Sequence, residues 1–220
     1  MAYDAGVHPH SHRSVVPAEV RQGTLTRHAA GRFEHGRVYA ISSGMGRPRL
    51  WSWATRAVLE GFAEGLEAAE GRDGLALLHF AAERARAALV SACNRLIERQ
   101  VPDATLLAVA IDHEGAHVLV AGEDRAYLHA KKGQPQRLTP REPSRAGLLE
   151  GDTFTTTQPV HPGDLILAGS ASAFSTSSVG RVASVLQSDP KAPPSVLAGL
   201  LTDPARKAGV GAAAVALRLR

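Results

Sequence analysis

Two rhythms of apolar residues divide this chain. From residue 51 to 96 they recur every third or fourth position, as Trp51, Ala54, Val58, Phe62 and Leu66, then Leu78, Ala82, Ala85, Leu89, Cys93 and Leu96. That spacing predicts two amphipathic helices, parted by the glycine-bracketed break "EGRDG" at residues 70–74. Glu60, Glu64, Glu67 and Glu70 accompany the first helix and read as its solvated face, with a metal site the lesser alternative.

After Pro102 the rhythm shortens. The runs "ATLLAVAID" (104–112), "AHVLVAG" (116–122) and "DRAYLHAK" (124–131) are punctuated by "HEG" and "GED", the signature of an antiparallel meander. Further strands are expected in "TFTTTQPV", "DLILAGS" and the terminal "GAAAVALRLR", with helical segments at 179–186 and 195–205. Ahead of the first helix, two runs at Gly23–His28 and Arg37–Ile41 suit a hairpin. Strands and helices thus come in grouped runs, which argues for a layered α+β domain. Residues 1–17, with "VHPHSHRSVVP", carry no apolar period and are read as a flexible leader to a domain spanning 18–220. His8, His10 and His12 would face one way in an extended leader and could hold a divalent ion, although incidental polar composition accounts for them as well.

Composition narrows the classes. A chain of 220 residues, 44% hydrophobic, buries one good-sized core. The net charge of +4 is dispersed among 21 acids, so nucleic-acid binding has no support. The single cysteine, Cys93, excludes a disulfide framework, suits a reducing compartment and reads as an inert thiol, so the expected location is cytoplasmic. No apolar run approaches the roughly 20 residues of a membrane helix, and no export signal is expected.

The chemistry-bearing segments are "AISSGMG" (40–46), "GEDRAYL" (122–128), "RLTPREPS" (137–144), "GDLILAGSASAF" (163–174) and "KAGVGAAAVALRLR" (207–220). Their order resembles that of the metal-dependent type 2C protein serine/threonine phosphatases, whose segments read V-A-D-G-M-G, G-D-S-R-A-Y-L, Q-L-T-x-D-H-S, G-D-x-L-L-L-x-S-D-G-L and G-x-x-D-N-x-T. The resemblance covers about residues 20–220 and implies a four-layer α-β-β-α sandwich with the active site at one edge between two antiparallel sheets. It also implies Mg²⁺ or Mn²⁺ held by aspartates, since hard cations prefer oxygen ligands and activate a bridging water.

Here those aspartates are replaced. Ser43 stands for the first, Ala171 for that of the S-D-G-L strand, with Ser172 for its glycine, and Arg141 for that of T-x-D-H-S. The last acid in the chain is Asp203, so the terminal strand supplies none. What survives by analogy is Gly44, whose carbonyl would be a ligand, Glu123 in place of the hairpin aspartate, and Asp124 in place of its serine; upstream only Glu34 is a candidate. The resemblance therefore implies no bound metal and no catalytic residue. Ser43 reads as a turn-stabilising hydroxyl, because no His/Asp pair activates it as a nucleophile.

Two functions are expected on this basis. One is a catalytically inactive pseudophosphatase, of bacterial type, that binds a Ser/Thr kinase or a phosphoprotein in phosphorylation signalling. Arg32, Arg37, Arg47, Arg49 and Arg141 lie in or beside segments that would rim the site and could take phosphate oxygens, or be plain solvated surface. The alternative is a divergent phosphatase that assembles one ion from Glu123, Asp124 and Glu34 or Asp103. The stretch "SASAFSTSSVG" (170–180) is compatible with a flap, a phosphorylation target or a linker.

Overall fold

The computed structural model describes residues 9–16, 29–35, 38–96, 101–131 and 135–219, the first two segments as backbone strands only. Along them run β1 (Pro9–Val16), β2 (Ala29–His35), β3 (Val38–Met45), α1 (Pro48–Glu67), α2 (Gly74–Cys93), β4 (Asp103–Ala104), β5 (Leu106–Ile111) and β6 (Ala116–Ala121). They are followed by β7 (Arg125–His129), β8 (Gln136–Arg137), β9 (Phe154–Gln158), β10 (Leu165–Gly169), α3 (Thr176–Ser188), α4 (Pro194–Ala208) and β11 (Ala212–Leu219). One antiparallel sheet has the order β1-β11-β10-β7-β8 and the other β2-β3-β5-β6-β9, with β4 beside β3.

The expected four layers follow from how the strands distribute their side chains. Neighbouring residues on a strand point to opposite faces, so a strand covered on both sides must be apolar throughout. In β10, Ile166 joins Tyr39, Ile41, Val118 and Leu217 between the sheets, while Leu165 and Leu167 pack with Val182, Leu197 and Leu201 of α3 and α4. On the other side Ala40, Leu106 and Leu119 meet Val58, Phe62, Leu78 and Leu89 of α1 and α2. Every apolar position that set the period of α1 is buried, and Glu60, Glu64, Glu67 and Glu70 are exposed. Cys93 ends α2 with its thiol near the Pro102 carbonyl; burial, then the Asp103 charge, push its pKa up, as suits an inert thiol.

Glycines let α1 and α2 approach closely. A Cβ on Gly65 would stand 2.6 Å from the Cα of Ala81, so the helices have no room for one without moving apart. Gly65→Val is expected to cost about 1–3 kcal/mol through overpacking, read as a lower denaturation midpoint at unchanged m; an unaltered midpoint would show that the helix pair is loosely seated.

The N-terminal segment departs from expectation. Residues 9–16, read as part of a flexible leader, form edge strand β1, paired along its length with β11 from Pro9 opposite Leu219 to Val16 opposite Ala212. "PHSHRSVV" hides a strand because it lacks an apolar alternation, and its proline sits at the first position, where a strand tolerates one. The strand expected at 23–28 lies outside the described residues, and β3 pairs instead with β2. The register of that pair shifts between Ala30 and Arg32, so a bulge at Gly31 breaks the alternation that would have revealed it.

At the end of the second sheet where β6 begins, buried His117 joins two elements. Its Nδ1 lies 2.9 Å from Thr157 Oγ1 and its Nε2 2.8 Å from Asp112 Oδ1. Burial alone would raise the Asp112 carboxyl, but hydrogen bonds from His117 and from the Glu114 and Gly115 N–H groups outweigh it and hold it below its ordinary value. A carboxyl depressed by folding stabilises above its unfolded pKa of about 3.9 and loses that contribution as pH falls through the lower folded value. The stability gap between wild type and Asp112→Asn is therefore expected to be constant at neutral pH and to close only in acid. A gap independent of pH down to acid unfolding would contradict this.

Candidate functional site

β3 carries the turn that raised the question of function. Period two puts Ser43 on the same side as Tyr39 and Ile41, between the sheets. Ser42 and Ser43 are both fully buried. The backbone N–H of Ser43 donates to Thr105 Oγ1 at 2.9 Å, its carbonyl accepts from the Thr105 N–H at 2.8 Å, and Ser42 Oγ donates to the Thr105 carbonyl at 2.7 Å. Thr105 Oγ1 in turn donates to Asp124 Oδ2 at 2.5 Å. Asp124, buried in the turn between β6 and β7, accepts the Ala171 N–H on its other oxygen at 3.3 Å.

The relay reaches the first sheet there. Ser170 Oγ accepts the Ala213 N–H at 3.1 Å and lies 2.9 Å from Ser172 Oγ, which donates to the Gly211 carbonyl at 2.6 Å. Ser43, Thr105, Asp124 and the Ser170–Ser172 segment thus stitch the two sheets together at one edge. Residues 170–180 are neither flap nor linker: Ala171–Phe174 form a 3-10 turn, and Ser175 caps α3 by accepting the Ser178 N–H at 3.2 Å.

Trp51 explains the glycines of "SSGMG". A Cβ on Gly44 would stand 2.3 Å from the Cβ of Trp51, and the indole N–H donates to the Gly46 carbonyl at 3.0 Å. Gly46 takes φ +77°, a conformation that favours glycine. The turn is therefore shaped by helix packing.

Of the residues singled out in the sequence, Ser43, Gly44, Asp124 and Ala171 come together, and Glu123 is half-buried beside Asp124. Arg141 is exposed and points no charge into the cluster. Its loop nevertheless stays at this edge, tied at one end by Thr139 to the Ala126 N–H and at the other by the Leu148 N–H to the Ala104 carbonyl. Arg47 and Arg49 are exposed at the start of α1, next to the Gly46 turn. Arg32 lies on β2 opposite Ile41, and Arg37 is outside the described residues.

Of two acids held in reserve for a rebuilt site, Glu34 is placed elsewhere and Asp103, opposite Met45, is engaged with backbone. Glu34 pairs with Tyr39, about 13 Å along the strand from Ser43 at the usual rise; opposite Ser43 stands Ala29. Asp103 Oδ1 accepts the Ala104 and Leu149 N–H groups, at 2.7 and 3.0 Å, and so fixes the loop at 147–149. Thr105 was not singled out, Trp51 only as an apolar position of the first helix, and Ser170 and Ser172 not as hydrogen-bonding groups. A lone threonine opening an apolar strand reads as a β-branched filler, and only the pairing shows Thr105 to be the hub.

The donor set does not fit a binuclear Mg²⁺ or Mn²⁺ centre. Among the described residues no three His, Cys, Asp or Glu side chains gather around one point. Both oxygens of Asp124 already accept hydrogen bonds, and Ser43 Oγ, buried without a hydrogen-bond partner, is a neutral oxygen. Even with half-buried Glu123 added, two carboxylates and a hydroxyl leave two divalent ions far from neutralised. No catalytic step through a metal is derived.

No family model matches the sequence, and no curated protein matches it. Solved structures do. The PPM Ser/Thr phosphatase MsPP from Mycobacterium smegmatis, in complex with cacodylate, superposes with TM-score 0.71 at 20% identity over 96% of this chain and 98% of that one. The catalytic domain of the serine/threonine protein phosphatase PstP in complex with two manganese ions gives 0.77 at 17% identity over 97% and 99%. PppA, described as a key regulatory component of the type VI secretion system (T6SS) in Pseudomonas aeruginosa, gives 0.70 at 18% identity over 98% and 99%. The fold is that of the type 2C phosphatases.

Proposed function

We propose that this chain, folded as a type 2C phosphatase, is a pseudophosphatase that works by binding a Ser/Thr kinase or a phosphoprotein in bacterial cytoplasmic phosphorylation signalling. The observation that carries this reading is the relay Ser43–Thr105–Asp124–Ala171. Where the related phosphatases gather carboxylates around ions, this chain ties the backbone N–H groups of Ser43 and Ala171 through Thr105 and Asp124, with half-buried Glu123 as the acid beside them. Such a donor set would not hold the cation that lowers the pKa of a bound water, and so would not supply the hydroxide that attacks phosphorus.

Binding remains open to such a scaffold. Arg47, Arg49 and Arg141 are exposed around this edge, and guanidinium groups match phosphate oxygens. The role printed for PppA, a regulatory component, is compatible with a domain of this fold acting through protein partners. No helix among the described residues is long and apolar enough to cross a membrane.

Hydrolysis of a phosphomonoester such as p-nitrophenyl phosphate is expected to stay at the no-protein blank with Mn²⁺, Mg²⁺ or Ca²⁺. Turnover that rises with Mn²⁺ and falls in Glu123→Gln would replace this reading with that of a divergent phosphatase.

A further inference from the structure

The first sheet carries a second polar feature at its opposite end. β11 runs from Ala212, beside the relay, to Leu219, so Arg218 stands about 17 Å from Ala213 at the usual strand rise. Around it lies an open cleft of about 620 Å³, within the range of about 300–1,000 Å³ typical of small-molecule sites. Its walls are the Pro162–Gly163 turn before β10, the Pro190–Pro194 loop between α3 and α4, and the end of β11.

Three cations open onto it: Lys131, Lys191 and Arg218. The stem of Lys131 lies against Gly163, where a Cβ would meet its Cδ at 3.1 Å. Among the described residues, neither lysine ammonium is held in an ion pair. Arg218 donates from one terminal nitrogen to the Ala192 carbonyl at 3.0 Å, while its Nε is buried with no partner. Among the described residues two acids stand near: Asp164 accepts the Lys131 and His161 backbone N–H groups, at 3.0 and 2.9 Å, and exposed Asp189 accepts the Lys191 N–H at 3.0 Å and acts electrostatically on Arg218, so three cations meet two carboxylates. The rest of the wall is apolar, and Pro162, Pro193 and Pro194 offer rigid flat surface.

We propose that this cleft binds an organic phosphate, with the phosphate against Lys131, Lys191 and Arg218 and the apolar body on the prolines. An anion there supplies an acceptor for the unpartnered Arg218 Nε and counter-charge for two lysine ammoniums that, among the described residues, have no ion pair, and charge-assisted hydrogen bonds to it are stronger than neutral ones. The apolar body distinguishes this ligand from inorganic phosphate, since most of the wall cannot hydrogen-bond. The site is independent of the relay and of whether the chain hydrolyses phosphate.

The test is a titration of phenylphosphonate, which a phosphatase cannot hydrolyse, into the full nitrogen-15-labelled chain, followed by amide shifts. Saturable shifts are expected at Gly163, Asp164, Lys191 and Leu219. The Lys131→Glu/Lys191→Glu double variant, whose two sites are exposed and whose fold is checked by the same spectrum, is expected to bind about tenfold or more weakly. Benzyl alcohol, the neutral control, is expected to leave those amides unmoved. The proposal is overturned if shifts are absent, if they are confined to Ser43, Thr105 and Ala171, if the double variant binds as wild type, or if benzyl alcohol reproduces them.

Discussion

The double substitution Ser43→Asp/Ala171→Asp is expected to destabilise the metal-free protein by about 3–5 kcal/mol, the range for an uncompensated buried charge. Ser43 is fully buried, and two hydrogen bonds, through Thr105, separate it from Asp124; the Ala171 N–H bonds to that same carboxylate. New carboxylates at both positions would crowd like charges around Asp124, one at a fully buried position and one at a partly buried one. Mn²⁺ is then expected to stabilise the variant, by about 2.7 kcal/mol at a hundredfold excess over its Kd, and to leave the wild type unchanged. Thermal unfolding of both proteins with and without Mn²⁺ reads this directly. A double variant as stable as wild type without metal, or a wild type stabilised as much as the variant, would contradict the account.

Asp124→Ala should be nearly as damaging, for the opposite reason. In a site kept for ions, removing one acid relieves repulsion in the empty state. Here Asp124 accepts from the Thr105 hydroxyl and from the Ala171 N–H, and its loss leaves two buried donors unpaired. At roughly 1–3 kcal/mol per orphaned group, the cost is expected at about 2–6 kcal/mol in chemical denaturation. Asp124→Asn, which keeps an acceptor oxygen, is expected to lose less. A neutral or stabilising Asp124→Ala would mean that the carboxylate is held against strain and that the relay is not the structural element inferred.

The legibility of this fold in its sequence follows from where each element is buried. α1 and α2 show a single apolar stripe because each has one covered face, and their core positions emerge from spacing alone. β5, β6, β10 and β11 are apolar on both faces because they are covered on both, which gives recognisable runs. β1 fails on the same logic. It is a polar edge strand whose pairing is dictated by β11, and nothing in "PHSHRSVV" records that partner.

The site was half visible. Ser43 and Ala171 are conspicuous as departures within recognisable segments, and they do meet at Asp124. Glu34 falls opposite Tyr39, four residues along β3 from Ser43, and the register of β2 against β3 that puts Ala29 opposite Ser43 is not something spacing can reveal. Asp103 was ambiguous until its hydrogen bonds to the Ala104 and Leu149 N–H groups showed a backbone role. Thr105 has a meaning only in three dimensions, as the residue that bonds both Ser43 and Asp124.

Calorimetric titration of Mn²⁺ into the wild-type chain tests the central claim most directly, provided residues 9–16 are kept, because they form β1. The account predicts no saturable heat, since the relay offers one committed carboxylate and one neutral hydroxyl. Saturable binding abolished by Asp124→Asn in a variant that remains folded would contradict it, and would place a working metal site where this structure has a hydrogen-bonded stitch.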